Sequence, residues 1–119
     1  MKEDPLDVLF RNYIQQRAIQ RVGGCERCLS GKTSYKQLQC SHFHGRAKKS
    51  TRWDEDNCAG LCGGCHMYLT AHPLEHVEWF KAHLGEHEFN LLSSRMRVIG
   101  KPDKAALTLY YQQLIGGNG

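Results

Sequence analysis

Apolar runs in this chain are never longer than a few residues, so no segment of it is expected to cross a membrane as a helix. The opening MKEDPLDVLF carries acids within its first four residues and has no apolar stretch before a small-residue cleavage site. A secretory signal is therefore not expected, and the reducing cytosol is the expected compartment. Aromatic residues are scarce, with 4 Phe, 5 Tyr and 2 Trp among 119 residues. A single domain of that size buries only about two-thirds of its unfolded surface, so its core is thin and a covalent or metal staple would carry a large share of stability. Strong charge of either sign is also missing. The net charge of +4, with seven histidines besides, permits an anionic partner without demanding one. There is no internal repeat and no low-complexity tract.

Cysteine, by contrast, is present six times, at positions 25, 28, 40, 58, 62 and 65. Four of these form two C-x2-C pairs separated by 33 residues, Cys25 with Cys28 and Cys62 with Cys65. Each such turn places two sulfurs on one side of a reversing backbone, so two turns can supply four thiolates to one tetrahedral structural zinc. Two alternatives are weaker. A redox C-x2-C leaves the second pair without a purpose. Cys62-Gly63-Gly64-Cys65-His66 satisfies the c-type haem attachment pattern, but that chemistry follows export. Cys40 and Cys58 read as small buried hydrophobes.

The local signals describe an α+β chain dominated by helix. Asp4 as N-cap and Pro5 at the first helical position open a helix that Gly23-Gly24 ends. Leu6, Leu9, Phe10, Tyr13, Ile14 and Ala18 form its apolar stripe, with Arg11, Arg17 and Arg21 on a solvated face. After the first knuckle, alternation from Tyr35 to Phe43 predicts a strand with Leu38, Cys40 and His42 on one side. A second strand is expected over Asn57 to Leu61, pairing back on the first. His66-Met67-Tyr68-Leu69 begins a short helix that stops before Pro73. Three more helical patterns follow. Pro73 to Leu84 carries Leu74, Val77, Trp79, Phe80 and Leu84; the next carries Phe89, Leu92, Met96 and Ile99, ending at Gly100. The last, opened by Pro102-Asp103, turns Leu107, Tyr110, Tyr111 and Leu114 inward. The whole reads as one domain, residues 1–119, with an N-terminal helix over 1–22, a zinc-bearing core over 23–72 and a helical extension over 73–119. His72 is expected to cap a helix, and His76, His83 and His87 to lie on the surface.

Within the core, His42, Asn57 and His66 stand at H-x14-N-x8-H. Phosphodiester hydrolysis needs a base for water, a cation for the charge gathering on phosphate, and rigid placement of both. An imidazole on a strand can be the base, a second at a helix start can hold the cation, and an asparagine amide can fix the backbone between them. The string CSHFHGR…TRW…DN…C-x2-CH resembles the HNH endonuclease family, in particular the subgroup framed by a four-cysteine zinc ribbon, and among these the phage recombination nucleases of the NinG type. The resemblance covers about residues 23 to 80. It implies a ββα-metal hairpin and helix, one catalytic divalent ion such as Mg2+ or Mn2+, DNA as substrate, and a bacterial or phage-infected host cytosol as setting. Carried over by position, His42 is the general base, Asn57 the loop-fixing residue, His66 a ligand of the catalytic metal, and Cys25, Cys28, Cys62 and Cys65 the zinc set. Ser41 departs from the pattern, since the family commonly has Asp or His there as a second metal ligand. Cys40 or His44 substitutes, or the metal is held weakly and phosphate completes its shell.

Arg46, Lys48, Lys49 and Arg52 fall in one seven-residue loop between the two histidine- and asparagine-bearing strands. That position suits contact with DNA phosphates, each neutralised phosphate contributing close to ~0.9 to the salt slope, without reading sequence. Trp53 reads as a core anchor closing the loop. The leading expectation is a metal-dependent DNA endonuclease that nicks, resolves or cuts branched DNA. Its rivals are a zinc-ribbon DNA-binding module with the same frame and little or no catalysis, and a zinc-stapled protein-interaction module. Tyr110 and Tyr111 either complete the core or make a homodimer.

Overall fold

The computed structural model describes residues 3–117, which form five helices and one two-stranded hairpin. Helix α1, Pro5–Val22, starts where Asp4 Oδ1 accepts from the Leu6 amide and ends at Gly23, whose φ of 69° suits glycine and whose amide bonds the Ile19 carbonyl. Strands β1, Gln39–His42, and β2, Cys58–Leu61, pair antiparallel with His42 opposite Cys58 and Gln39 opposite Leu61. Helix α2, Gly63–Ala71, follows directly, then α3, Pro73–Leu84, α4, Glu86–Met96, and α5, Lys104–Gly117. The architecture is α+β, and among the described residues no helix is long and apolar enough to cross a membrane.

The hairpin lies at the junction of two apolar clusters. One joins Ala18, Leu38, Ala59, Leu61, Leu69 and Phe80 with the two knuckle cysteines Cys25 and Cys65. The other joins Leu6, Phe10 and Ile14 of α1 with Trp53, Cys58 and Tyr111. All four residues of β2 are buried. At Gly60 a Cβ would stand 2.6 Å from the Ala18 Cβ, so glycine is what lets β2 run close under α1. Gly24 is confined in the same way, a Cβ there meeting the Ser30 carbonyl oxygen at 2.0 Å.

Several elements differ from the sequence reading, each for a local reason. The first strand is shorter than Tyr35 to Phe43, because Ser34 and Gln37 form a reciprocal capping box that winds Tyr35–Gln37 into a 3-10 turn. Helix α2 starts at Gly63 rather than His66, because the Cys62 sulfur caps it by accepting from the Cys65 amide. The second knuckle is thus the helix's first turn. On α3 only Phe80 is fully buried, and Leu74 and Val77 are exposed, since the helix docks through the face of His76, Trp79, Phe80, His83 and Leu84. Ile99 lies beyond the end of α4 and is exposed. On α5 Tyr111 is buried with its hydroxyl donating to the Trp53 carbonyl, while Tyr110 is partly exposed and donates to Glu55 (3.0 Å).

Arg17 corrects the solvated face assigned to α1. Its side chain is buried and donates to the carbonyls of Glu55 (2.8 Å) and Cys58 (2.7 Å), tying α1 to the entry of β2. The Cys58 carbonyl falls at the start of β2 and the Glu55 carbonyl in the 3-10 turn Glu55–Asn57 just before it, so a buried cation finds partners there.

Candidate functional site

Two groups of sulfur and nitrogen ligands occur among the described residues. The first is Cys25, Cys28, Cys62 and Cys65, whose sulfurs lie within 4.8 Å of one another. Cys28 and Cys62 stand 3.8 Å apart, and the edge of a tetrahedron with Zn–S near 2.3 Å is about 3.8 Å. The donor set and its spacing are compatible with a structural zinc. Burial pushes the Cys25 thiol up, but the amides of Cys62, Cys28 and Arg27 point at it and bring it down to about 7, while burial and the neighbouring thiols push Cys65 up to about 12, so the cluster holds protons that a metal would have to displace. Arg27 donates to the Cys65 sulfur at 3.4 Å and lies over the Tyr68 ring, placing one cation beside a set that would carry excess negative charge. Glu26, between the first two cysteines, is buried and accepts from the Gly60 amide (2.6 Å), while its own amide donates to the Gly60 carbonyl (3.0 Å). The knuckle is thereby held against β2.

The second feature is the loop between the strands, and Asn57 is its clamp. Fully buried, Asn57 accepts from the His44 amide through Oδ1 (2.8 Å) and donates through Nδ2 to the carbonyls of His44 and Thr51 (both 3.0 Å). Those groups stand at the two ends of the loop, which therefore has a fixed mouth. At its outgoing end the Arg52 carbonyl accepts from His42 Nε2 at 2.9 Å. A carbonyl can only accept, so Nε2 carries the proton and the lone pair is on Nδ1. Burial, ahead of the neighbouring arginines, lowers the pKa of His42 and keeps the imidazole neutral near pH 7.

His66, in the first turns of α2, is half-buried, and burial lowers its pKa as well. Its Nδ1 pairs with Gln39 Oε1 at 2.6 Å, an arrangement that puts the proton on Nδ1 and leaves Nε2 with its lone pair. Gln39 was not singled out by the sequence, and nothing short of the strand register would have placed it opposite His66. His42 and His66 open to different hollows. His42 shares one with Phe10 and Asp7 of α1, whereas His66 shares another with Gln39, Met67 and Thr70. Neither hollow includes the other's histidine. Ser41, on the Gln39 side of the strand, is buried.

His44 and His76 flank the Phe43 ring, with centroids 4.7 and 5.3 Å away, and each buries an Nε2 with no partner. His83 is likewise partly buried and stands 3.6 Å from Glu26. The surface placement expected of His76 and His83 is thus corrected, while His87 is exposed. His72 does sit at the N-cap of α3, but its side chain pairs with the Tyr68 carbonyl instead of capping.

The basic loop is divided. Arg46 and Arg52 both reach Asp7 of α1, Arg46 through Nη2 at 2.9 Å and Arg52 through Nε at 3.0 Å and a second short contact through Nη2. Trp53 Nε1 donates to the same carboxylate at 2.8 Å. Burial alone would raise the Asp7 pKa, but the bonds from Arg52, Trp53 and Arg46 outweigh it and hold the carboxyl at about 2. Arg52 is therefore engaged as a structural cation against Asp7, with its side chain still 24% exposed. Lys48 and Lys49 are exposed. Asp7 was missed by the sequence reading because its partners are about 40 positions away.

Comparison with protein-family models, curated proteins and solved structures yields no significant match, so the site is interpreted from its own residues.

Proposed function

We propose that this protein is a metal-dependent DNA endonuclease of HNH type, hydrolysing phosphodiester bonds to nick or resolve duplex or branched DNA. The observation that carries the reading is the clamped loop. Asn57 ties both ends of the segment after His42, and the Arg52 carbonyl accepts a hydrogen bond from His42 Nε2–H, which presents a neutral imidazole with its lone pair on Nδ1. That is the preparation a general base needs. His66, with Gln39 holding its Nδ1 proton, presents Nε2 to a divalent ion such as Mg2+ or Mn2+. The four-cysteine zinc would fix the start of α2 and so the position of His66. Lys48 and Lys49 supply the free cations for DNA backbone contact.

A second reading, a zinc-ribbon DNA-binding module with little catalysis, is favoured by one observation: His42 and His66 open to different hollows, and Ser41 brings no strong ligand between them. The two readings separate on plasmid and branched DNA incubated with Mg2+ or Mn2+. The nuclease cuts only with the ion present, and His66→Ala raises the ion concentration needed by about tenfold or more. Retarded DNA with no ion-dependent cutting would establish the binding module.

A further inference from the structure

The second ligand group is not used by this reading as a metal site. Cys40 and His42 of β1 and Cys58 of β2 offer two sulfurs and a ring nitrogen that all lie within 4.8 Å of one another. The register explains the convergence: His42 stands opposite Cys58, and Cys40 is one pair further along on the same face of the strand. We propose that Cys40, His42 and Cys58 form a second metal site, separate from the four-cysteine zinc, that takes a thiophilic divalent ion of the zinc type.

Four further features fit such an ion. Two thiolates and an imidazole are soft and borderline donors, a set that selects zinc over magnesium or calcium. The Arg52 carbonyl accepts from His42 Nε2 at 2.9 Å, the outer bond that a metal-binding histidine ordinarily makes, and this leaves Nδ1 as the ligand atom. Charge also balances. Binding Zn2+ releases one proton from each of Cys40 and Cys58, so the loaded site is neutral and adds no charge beside Arg46 and Arg52, which Asp7 already neutralises in part. Three protein ligands leave a fourth position for water, and the small hollow bordered by Cys40, His42 and Asp7 gives it access. The tetrahedral edges are about 3.5–3.8 Å, so shifts on the order of 1 Å close the set.

Occupancy has a functional consequence, which rests on the assignment of His42 as base: the ion takes the Nδ1 lone pair, so zinc at this site suppresses cutting. The site itself does not depend on that assignment. The test begins with the full chain, reduced and metal-free, titrated with Co2+ and then Zn2+, with ligand-field spectra and bound metal per chain as readouts. Wild type is expected to take two thiolate-bound ions, one per group, counted by sulfur-to-cobalt charge-transfer absorption, which an ion on His66 does not add to. Cys40→Ser and His42→Gln, both at partly buried positions, and Cys58→Ala each keep one thiolate-bound ion with the four-cysteine cobalt spectrum retained. A single thiolate-bound ion in wild type, or a second one that persists in all three variants, overturns the proposal whether or not the protein cuts DNA. In a cleavage assay with Mg2+, half-inhibition of Cys58→Ala needs about tenfold or more zinc than wild type. Equal inhibition of the two overturns the suppressive role while leaving the metal count to stand by itself.

Discussion

At the scale of single residues, Asn57 and Asp7 both hold the loop, Asn57 at His44 and Thr51 and Asp7 at Arg46, Arg52 and Trp53. Asn57, itself fully buried, satisfies three backbone groups, of which the Thr51 carbonyl is buried and the two of His44 are partly so. Asn57→Ala would strand those groups, and with each buried orphan costing about 1–3 kcal/mol a loss of about 2–4 kcal/mol is expected in urea unfolding. A loss under about 1 kcal/mol would mean the loop is held elsewhere. Asp7 makes a pH prediction. Its carboxyl falls from an ordinary value near 3.8 to about 2 on folding, so its contribution is complete above the unfolded value and disappears as pH falls through the folded one. Wild type should lose about 2 kcal/mol relative to Asp7→Asn between about pH 5 and pH 1, read as converging denaturation midpoints. Parallel midpoints would contradict the assignment. Asp7 and Arg17 were illegible in sequence because a charge on a helix stripe reads as solvated until its partners are placed, and theirs come from the loop and from β2. The cysteine pairs were legible because their chemistry is encoded in local spacing.

Elements show the same division. Helix α1 was readable to its ends, since Asp4, Pro5 and Gly23 act locally on dihedrals and orphan amides. The exposed Leu74 and Val77 on α3 were not, because apolar periodicity fixes a face without saying how much of it finds a neighbour. The contact between α1 and β2 gives this scale its test. Gly60→Ala drives a methyl to 2.6 Å from Ala18, and overpacking of this kind costs about 1–3 kcal/mol. Ala18→Gly in the same chain should recover part of that loss, beyond the cost of glycine in a helix, as a coupling in a double-mutant cycle. Additive losses would place the strain elsewhere.

For the whole molecule, the four-cysteine cluster joins residues 25–28 to residues 62–65, so a zinc held there would close the chain around the hairpin and orient α2. A structural zinc can contribute an apparent ~10–16 kcal/mol, comparable with the stability of a complete domain. A strong chelator is therefore expected to abolish cooperative thermal unfolding followed by circular dichroism, and an unchanged Tm would remove zinc from the account. The proposed chemistry centres on His42, where the clamped loop and the protonated Nε2 converge. The most direct measurement is the first-order rate of plasmid nicking at saturating Mn2+ for wild type and His42→Ala, each with its four-cysteine zinc retained. The account predicts metal-dependent cutting that falls by about 10²–10⁴-fold in the variant. Equal rates, or no cutting by wild type, would contradict it.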